Sequence, residues 1–320
     1  MAEDGLKRNL PLLRAVKEGK HDGDDGVLAL LRKGQVDVNF QNHYGDTALI
    51  LSSWYGHTAI AKTLLEQQAD VDAVNVDGNC ALNCAAYHGF LEVAQLLVAR
   101  GATVDVPDHV TGKTALIKAA YVGHAEVARL LLKSGAEKDA MDNQGYTGLA
   151  FATSFNHFAV VQALIEAHAN PNVQDEFGIT PLVHSAARGH ADAVSLLLRA
   201  GANPSLEDLE GKSALDYASS GAFDEVASLL SAHVNAPSEC ATSRELLSGS
   251  GTSRGGGAGS RGGDGACSSR APSDANAPAL LARGGQLLTR MTPRVPKAGD
   301  LQAAKRVEAD GGGRGGATNR

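Results

Sequence analysis

The chain has 320 residues, room for two domains of ordinary size, and its charge is split. Residues 236–320 hold 12 Lys+Arg against 7 Asp+Glu; out of totals of 29 and 36, this leaves 17 against 29, a net of −12, on residues 1–235. Four cysteines (Cys80, Cys84, Cys240 and Cys267) are too few and too scattered for a disulfide framework. No apolar run is long enough to cross a membrane, and MAEDGLKRNLPLL lacks the apolar core of a signal peptide. These features predict a soluble, intracellular, cytoplasmic protein with no membrane partner.

In chain order, PLLRAVKEGK followed by VLALLRKGQVDVN reads as two helices joined by KHDGDDG, an irregular and charged first unit over residues 1–41. A regular pattern then begins. A turn glycine recurs as Gly45, Gly78, Gly112, Gly145, Gly178 and Gly211, in steps of 33, 34, 33, 33 and 33 residues. The slot two residues later opens a helix: Thr47, Cys80, Thr114, Thr147, Thr180 and Ser213, five of them hydroxyls suited to N-capping. Two positions further on stands a leucine every time, from Leu49 to Leu215. An inter-helix slot carries Gly56, Gly89, Gly123, Asn156, Gly189 and Ala222, and asparagine is the best non-glycine choice for a left-handed backbone. A period of this length predicts a repeat array, with units at 42–74, 75–107, 108–141, 142–174, 175–207 and 208–236.

The unit DEFGITPLVHSAARGHADAVSLLLRAGANP states the pattern most clearly, with Thr180 and Pro181 opening a short helix and Val194, Leu197 and Leu198 marking the apolar face of a second. About 33 residues cannot bury a core alone, so each unit implies neighbours. The unit 142–174 departs most: Gly148 lies in a helix's first turn, Asn156 replaces glycine, and His168 stands where a glycine should end the second helix. A weak unit in a linear array opens locally, so these residues are expected to be the softest of the internal units. The last unit exposes Asp216, Asp224 and Glu225 and reads as a C-terminal cap. From residue 237 the pattern gives way to Gly-, Ser- and Arg-rich sequence without Phe, Tyr or Trp, expected to be a disordered tail.

TALILSSWYGH, CALNCAAYHGF, TALIKAAYVGH and TPLVHSAARGH, with closing runs such as QQADVDA and RAGANPS, closely resemble the ankyrin repeat family. The resemblance covers roughly residues 9–236. It implies an all-α fold: a solenoid of stacked helix-turn-helix units with β-turn fingers, followed here by the tail. One departure concerns the histidine of the family's TPLH, replaced throughout by Ile50, Asn83, Ile117, Ala150, Val183 and Asp216. The inter-repeat hydrogen bonds attributed to it need another source. The later histidine persists as His57, His124, His157 and His190, and is read as structural.

No phosphate loop, dinucleotide fingerprint, HExxH or GxSxG is present, so no catalytic residue and no cofactor are expected. Cys80, Cys84 and His88 share one helix face, but one helix offers only part of a metal site; the thiols are read as structural. Surface remains. The resemblance implies that ligands contact the turn tips and the two residues ending each inner helix on the concave side. Those slots hold Trp54-Tyr55, Tyr87-His88, Tyr121-Val122, Ser154-Phe155, Ala187-Arg188 and Ser220-Gly221. The only Trp and three of six tyrosines fall there in a chain 4% aromatic, and Trp54, Tyr87 and Tyr121 take equal positions in successive units. They are predicted to form an aromatic stripe that anchors a partner protein, extended by Tyr44 and Tyr146 near the tips. Asp46, Asp77, Asn79, His109 and Lys113 would supply a polar rim. The expected function is a monomeric, non-enzymatic scaffold or adaptor. A second reading rests on the tail, where Arg254, Arg261, Arg283 and Arg314 each begin an Arg-Gly-Gly triplet suited to RNA contact.

Overall fold

The computed structural model describes residues 2–24, 26–34 and 36–235. The tail and its Arg-Gly-Gly triplets lie outside the described residues. Among the described residues there are fourteen helices and no strand, with a single isolated antiparallel bridge between Met141 and Thr147. The helices form seven pairs: α1 (Ala2–Lys17) with α2 (Val27–Arg32), α3 (Ala48–Tyr55) with α4 (Thr58–Glu66), α5 (Ala81–His88) with α6 (Leu91–Ala99), α7 (Ala115–Val122) with α8 (Ala125–Lys133), α9 (Gly148–Ser154) with α10 (Phe158–Glu166), α11 (Pro181–Ala186) with α12 (Ala191–Arg199), and α13 (Ala214–Ser220) with α14 (Asp224–Asn235). α1 begins well before PLLRAVKEGK, so the first unit's inner helix is about twice as long as the others. Odd-numbered helices stack in one row from α1 to α13, and α4 to α14 stack in a second row behind them.

Every helix-opening slot caps as the chemistry of its side chain dictates. Thr47, Thr114, Thr147, Thr180 and Ser213 accept the N–H three residues on through their hydroxyl oxygens, and Cys80 does so through Sγ at 3.5 Å. The recurrent leucine is buried in five units, and Leu215 is half-buried where no further unit covers it. Behind it, pairs four residues apart on the second helix (Ile60/Leu64, Val93/Leu97, Val127/Leu131, Val160/Leu164, Val226/Leu230) are also buried. Small inner-helix residues such as Ala85, Ala86, Ala119 and Ala120 are fully buried, which lets the inner row pack closely. Asp216, Asp224 and Glu225 are exposed, as a capping unit requires.

Among the described residues, the four other than glycine with positive φ are Gln68 (63°), Asn156 (57°), His168 (59°) and Ala222 (55°), each in a slot that other units give to glycine. Gly89 shows why glycine is preferred in the inter-helix slot: a Cβ there would lie 2.4 Å from the His124 ring of the next unit. That packing also supplies the missing inter-repeat bonds. His124 and His157 donate Nε2–H to the Tyr87 and Tyr121 carbonyls (both 3.2 Å), and His190 uses Nδ1 toward the Thr153 carbonyl at 3.0 Å. Three of the persisting histidines thus tie their unit to the one before.

Two further ladders run along the stack. At the fingers, the carbonyl before each turn glycine accepts from the next finger: Tyr44 from Val76 (3.0 Å), Asp77 from His109 (2.8 Å), Thr111 from Asn143 (2.9 Å), Gln144 from Glu176 (3.1 Å) and Phe177 from Leu209 (3.1 Å). At the closing loops, a carboxylate or amide oxygen accepts the N–H about one unit on, as Asn39 does from Asp70, Asp72 from Thr103, Asp139 from Asn170 and Asn172 from Asn203.

Each finger is closed from within by a side-chain oxygen at its base, in the order Asn42, Asn75, Asp108, Asp142, Asp175 and Asp208. The four aspartates are buried, and a buried carboxylate needs a compensating donor. The residue four past the N-cap provides it. Lys118 Nζ is 2.6 Å from Asp108, His184 Nε2 is 3.3 Å from Asp175, and the Tyr217 hydroxyl donates to Asp208. In the fourth unit that residue is Phe151, and Lys113 of the preceding unit supplies a counter-charge in place of a hydrogen bond, its Nζ 3.2 Å from Asp142 Oδ2 and over the Phe151 ring. Where the base is neutral Asn42 or Asn75, the same slot holds Leu51 or Cys84, neither of which carries charge.

Candidate functional site

The inner helices end side by side, so their last residues form one row. Trp54 and Tyr87 meet in this row as nearly parallel rings, 6.2 Å between centroids and 12° apart in plane. His88 sets its ring edge-on against both, at 4.3 Å from Trp54 and 5.1 Å from Tyr87, and stacks on Phe90 at 5.7 Å. Burial, with the nearby His124, pushes the His88 imidazole below its ordinary value, so this ring packs as a neutral group. Tyr55 stacks on His57 at 5.9 Å. All six residues are half-buried, leaving part of each to solvent.

Tyr121 keeps the register but turns toward the fourth unit. Its ring is edge-on to Phe151 (5.4 Å) and Phe155 (5.2 Å), and it packs with Phe155 against a cluster of Ile117, Tyr146, Ala150 and Phe151. Its hydroxyl is buried without a hydrogen-bond partner, and burial raises the phenol. The stacked part of the stripe is therefore Trp54 and Tyr87. Val122 and Arg188 are half-buried in their slots, and Arg188 donates Nη1–H back to the His184 carbonyl at 3.3 Å.

Tyr146 needs correction. It is 1% exposed and stacks on Phe151 at 5.1 Å; the same position holds buried Ile179 in the next unit but half-buried Asp46 and Asn79 in the units at 42–74 and 75–107. It belongs to the core and has no face to offer a partner. Lys113 is likewise held inward by Asp142 and Phe151. Tyr44 remains half-exposed beside His43, their rings 3.7 Å apart, and Asn79 is half-buried at its finger. Asp77 and His109 are exposed, and Asp46 accepts from Asn75 Nδ2 at 3.0 Å. The sequence reading missed Val76 (69% exposed), Val110 (66%) and Leu209 (78%), all two residues before a turn glycine. The signal was available: apolar side chains in turn tips where polar ones are usual.

Cys80 and Cys84 are buried, and burial raises both thiols. Among the described residues no three of His, Cys, Asp and Glu converge to hold a metal ion. No helix of the described residues is long and apolar enough to cross a membrane.

A family model for ankyrin repeats matches three times, over residues 12–108, 104–175 and 149–238. The chain belongs to the ankyrin repeat family. Ankyrin repeats generally mediate protein–protein interaction, and ankyrin-repeat proteins are typically binding scaffolds rather than enzymes. A curated relative, a probable E3 ubiquitin-protein ligase (XBOS32) of Oryza sativa subsp. japonica, is 36% identical over 58 residues. That stretch is 18% of this ankyrin-repeat chain and 11% of the rice protein, so the chain spans about a tenth of that relative.

Proposed function

We propose that this ankyrin-repeat chain is a non-enzymatic adaptor or scaffold that holds a partner protein on its inner-helix face, with Trp54 and Tyr87 as anchors. The observation that carries this reading is the stacking of the only tryptophan on Tyr87 at the ends of two successive inner helices, with both rings part-exposed. Each of these side chains has only two side-chain torsions and is already held by its neighbours. Docking therefore costs little further conformational entropy. Tyr55, His88, Val122, Phe155 and Arg188 continue the contact row, with Tyr44, Asp46, Asp77, Asn79 and His109 as a finger-side rim. Aromatic anchors of this kind typically cost 2 kcal/mol or more of binding when truncated, about thirtyfold in affinity or beyond.

The test is capture of partners from native extract by the full chain. Trp54→Ala/Tyr87→Ala should abolish capture while the far-UV circular dichroism stays that of the wild type. Undiminished capture by the folded double variant places the contact elsewhere. Tyr121 is better changed to Phe than to Ala, because its ring supports the core cluster while its hydroxyl bonds to nothing.

A further inference from the structure

Resting on that reading, we infer that the face takes a cationic segment of the partner, one whose arginines engage the Trp54–Tyr87 rings and the Asp46–Asp77 finger margin. Charge is the first argument. Residues 1–235 carry a net −12 with histidine neutral, and between residues 42 and 107 the only lysine and arginine are Lys62 and Arg100, against seven acidic side chains. Lys62 lies on α4 and Arg100 ends α6, both in the outer row. The inner helices α3 and α5 carry no lysine or arginine at all.

The second argument is which charges are already matched. Lys118 and Lys113 are held by Asp108 and Asp142, and the Arg188 guanidinium is bonded to the backbone of its own helix. The finger margin of the first two units is different. Asp46 is met only by the neutral amides of Asn75 (3.0 Å) and Asn42 (3.4 Å). Asp77 is exposed, and neither carboxylate pairs with a lysine or arginine among the described residues. Two carboxylates without counter-charge and two electron-rich rings thus border the same two inner helices. A guanidinium answers both, since it stacks on aromatic faces and pairs with carboxylates in a planar fork.

Geometry sets the spacing. α3 and α5 have 8 residues each, so the ring end lies about 12 Å from the capped end beside the finger, at 1.5 Å per residue. An extended peptide covers that distance in about four residues. The occupant is therefore an extended stretch with two arginines about four positions apart.

A suitable probe is the acetylated amide Gly-Ser-Arg-Gly-Ser-Gly-Arg-Ser-Gly, titrated into the full chain. Fluorescence of Trp54, the only tryptophan, reads occupancy at the site, with calorimetry alongside. Saturable binding is expected, at least tenfold weaker when both arginines are replaced by serine or glutamate. Asp46→Asn/Asp77→Asn should weaken the arginine peptide about five- to tenfold and reduce its salt dependence. Glu66→Gln/Glu225→Gln, on outer helices, should leave it unchanged. Equal binding of the arginine and glutamate peptides, no saturable binding of the arginine peptide, or an equal loss from the outer-helix pair overturns the inference. Capture from extract that is lost in Trp54→Ala/Tyr87→Ala but kept in Asp46→Asn/Asp77→Asn also overturns it and leaves the scaffold reading intact. Capture indifferent to both sets of changes overturns the two together.

Discussion

Lys118→Leu removes the cation from a carboxylate that has almost no access to water. In the native unit Lys118 Nζ lies 2.6 Å from Asp108 Oδ2, with the two side chains 12% and 3% exposed. At an effective dielectric of about 20, that separation is worth about 6 kcal/mol of gross attraction, most of it offset by desolvating both groups. The single deletion therefore reports the stranded charge, about 3 kcal/mol, at the low end of the range for a broken buried pair. The low end applies because the Thr111 hydroxyl and the Val110 and Thr111 N–H groups still donate to Asp108. Asp108→Asn combined with Lys118→Leu recreates the Asn42 and Leu51 arrangement of the unit at 42–74, and should return to within about 1 kcal/mol of wild type. Urea unfolding followed by circular dichroism measures the cycle. Hydrogen exchange at residues 108–118 separates local opening from global unfolding. pH gives a second handle. In the native chain burial raises the Asp108 carboxyl, but the Lys118 bond and charge and Thr111 together hold it below its ordinary value. Its contribution is therefore present above about pH 4 and is lost as pH falls through the folded value. In Lys118→Leu the carboxyl rises instead, so the deficit should shrink between pH 7 and pH 4.5. A single variant within 0.5 kcal/mol of wild type, or a double variant as unstable as the single, would refute the charge-matching argument.

Two other outcomes follow from the same packing. Burial holds His184, His157 and His190 below the ordinary imidazole value, against the pull of Asp175 and the carbonyl bonds. Such groups are neutral when native and charged when unfolded, so the stability they give is present above about pH 6.5 and is lost as pH drops below it. Thermal midpoints at pH 7.5 and 5.5 should differ accordingly; a His184 ring that titrates at or above 6.5 by NMR contradicts this. Phe151→Ala should cost about 3–5 kcal/mol and loosen residues 142–174, measured by hydrogen exchange. In the native chain those residues should be as protected as their neighbours, and faster exchange there than in both flanking units would restore the expectation from sequence.

That last expectation shows where sequence and structure part. Gly148, Asn156 and His168 are each unfavourable, by about 1–2 kcal/mol apiece. Against them stand Tyr146 and Phe151, both 1% exposed and the largest fully buried side chains described. Two such rings gain about 2–4 kcal/mol each from burial and ring packing, which offsets the local penalties. The repeat itself was legible because its signals are local: a glycine needing positive φ, a hydroxyl capping a helix, a leucine at fixed offset. Even the exceptions Asn156 and Ala222 could be placed, since they sat in glycine slots. Ring direction was not legible. Trp54, Tyr87 and Tyr121 share one slot, yet Tyr121 leaves the stack because Phe151 offers it an edge where the second and third units have Cys84 and Lys118. Tyr146 was misplaced for a related reason: the position after the glycine is Asp46, Asn79, Lys113 or Lys212 in four other units and apolar only at Ile179, and only the packing shows that an aromatic there goes under the finger. The pairing of Asp108, Asp175 and Asp208 with a donor was written in the sequence, but needed the finger base and the fourth residue after the cap to be seen touching.

The third finger, DHVTGKT, carries one residue more than the others, and its place in the hydrogen-bond pattern is informative. His109 donates backward to Asp77, Thr111 accepts forward from Asn143, and Val110 stands between them, 66% exposed. The other inner fingers make both bonds from adjacent residues, Val76 and Asp77, Asn143 and Gln144, and Glu176 and Phe177. The extra residue therefore falls between the two joints, not within either, and the units on each side keep their phase. Length at a finger tip is decoupled from alignment of the stack. The chain can lengthen its reach at such a tip without resetting anything behind it.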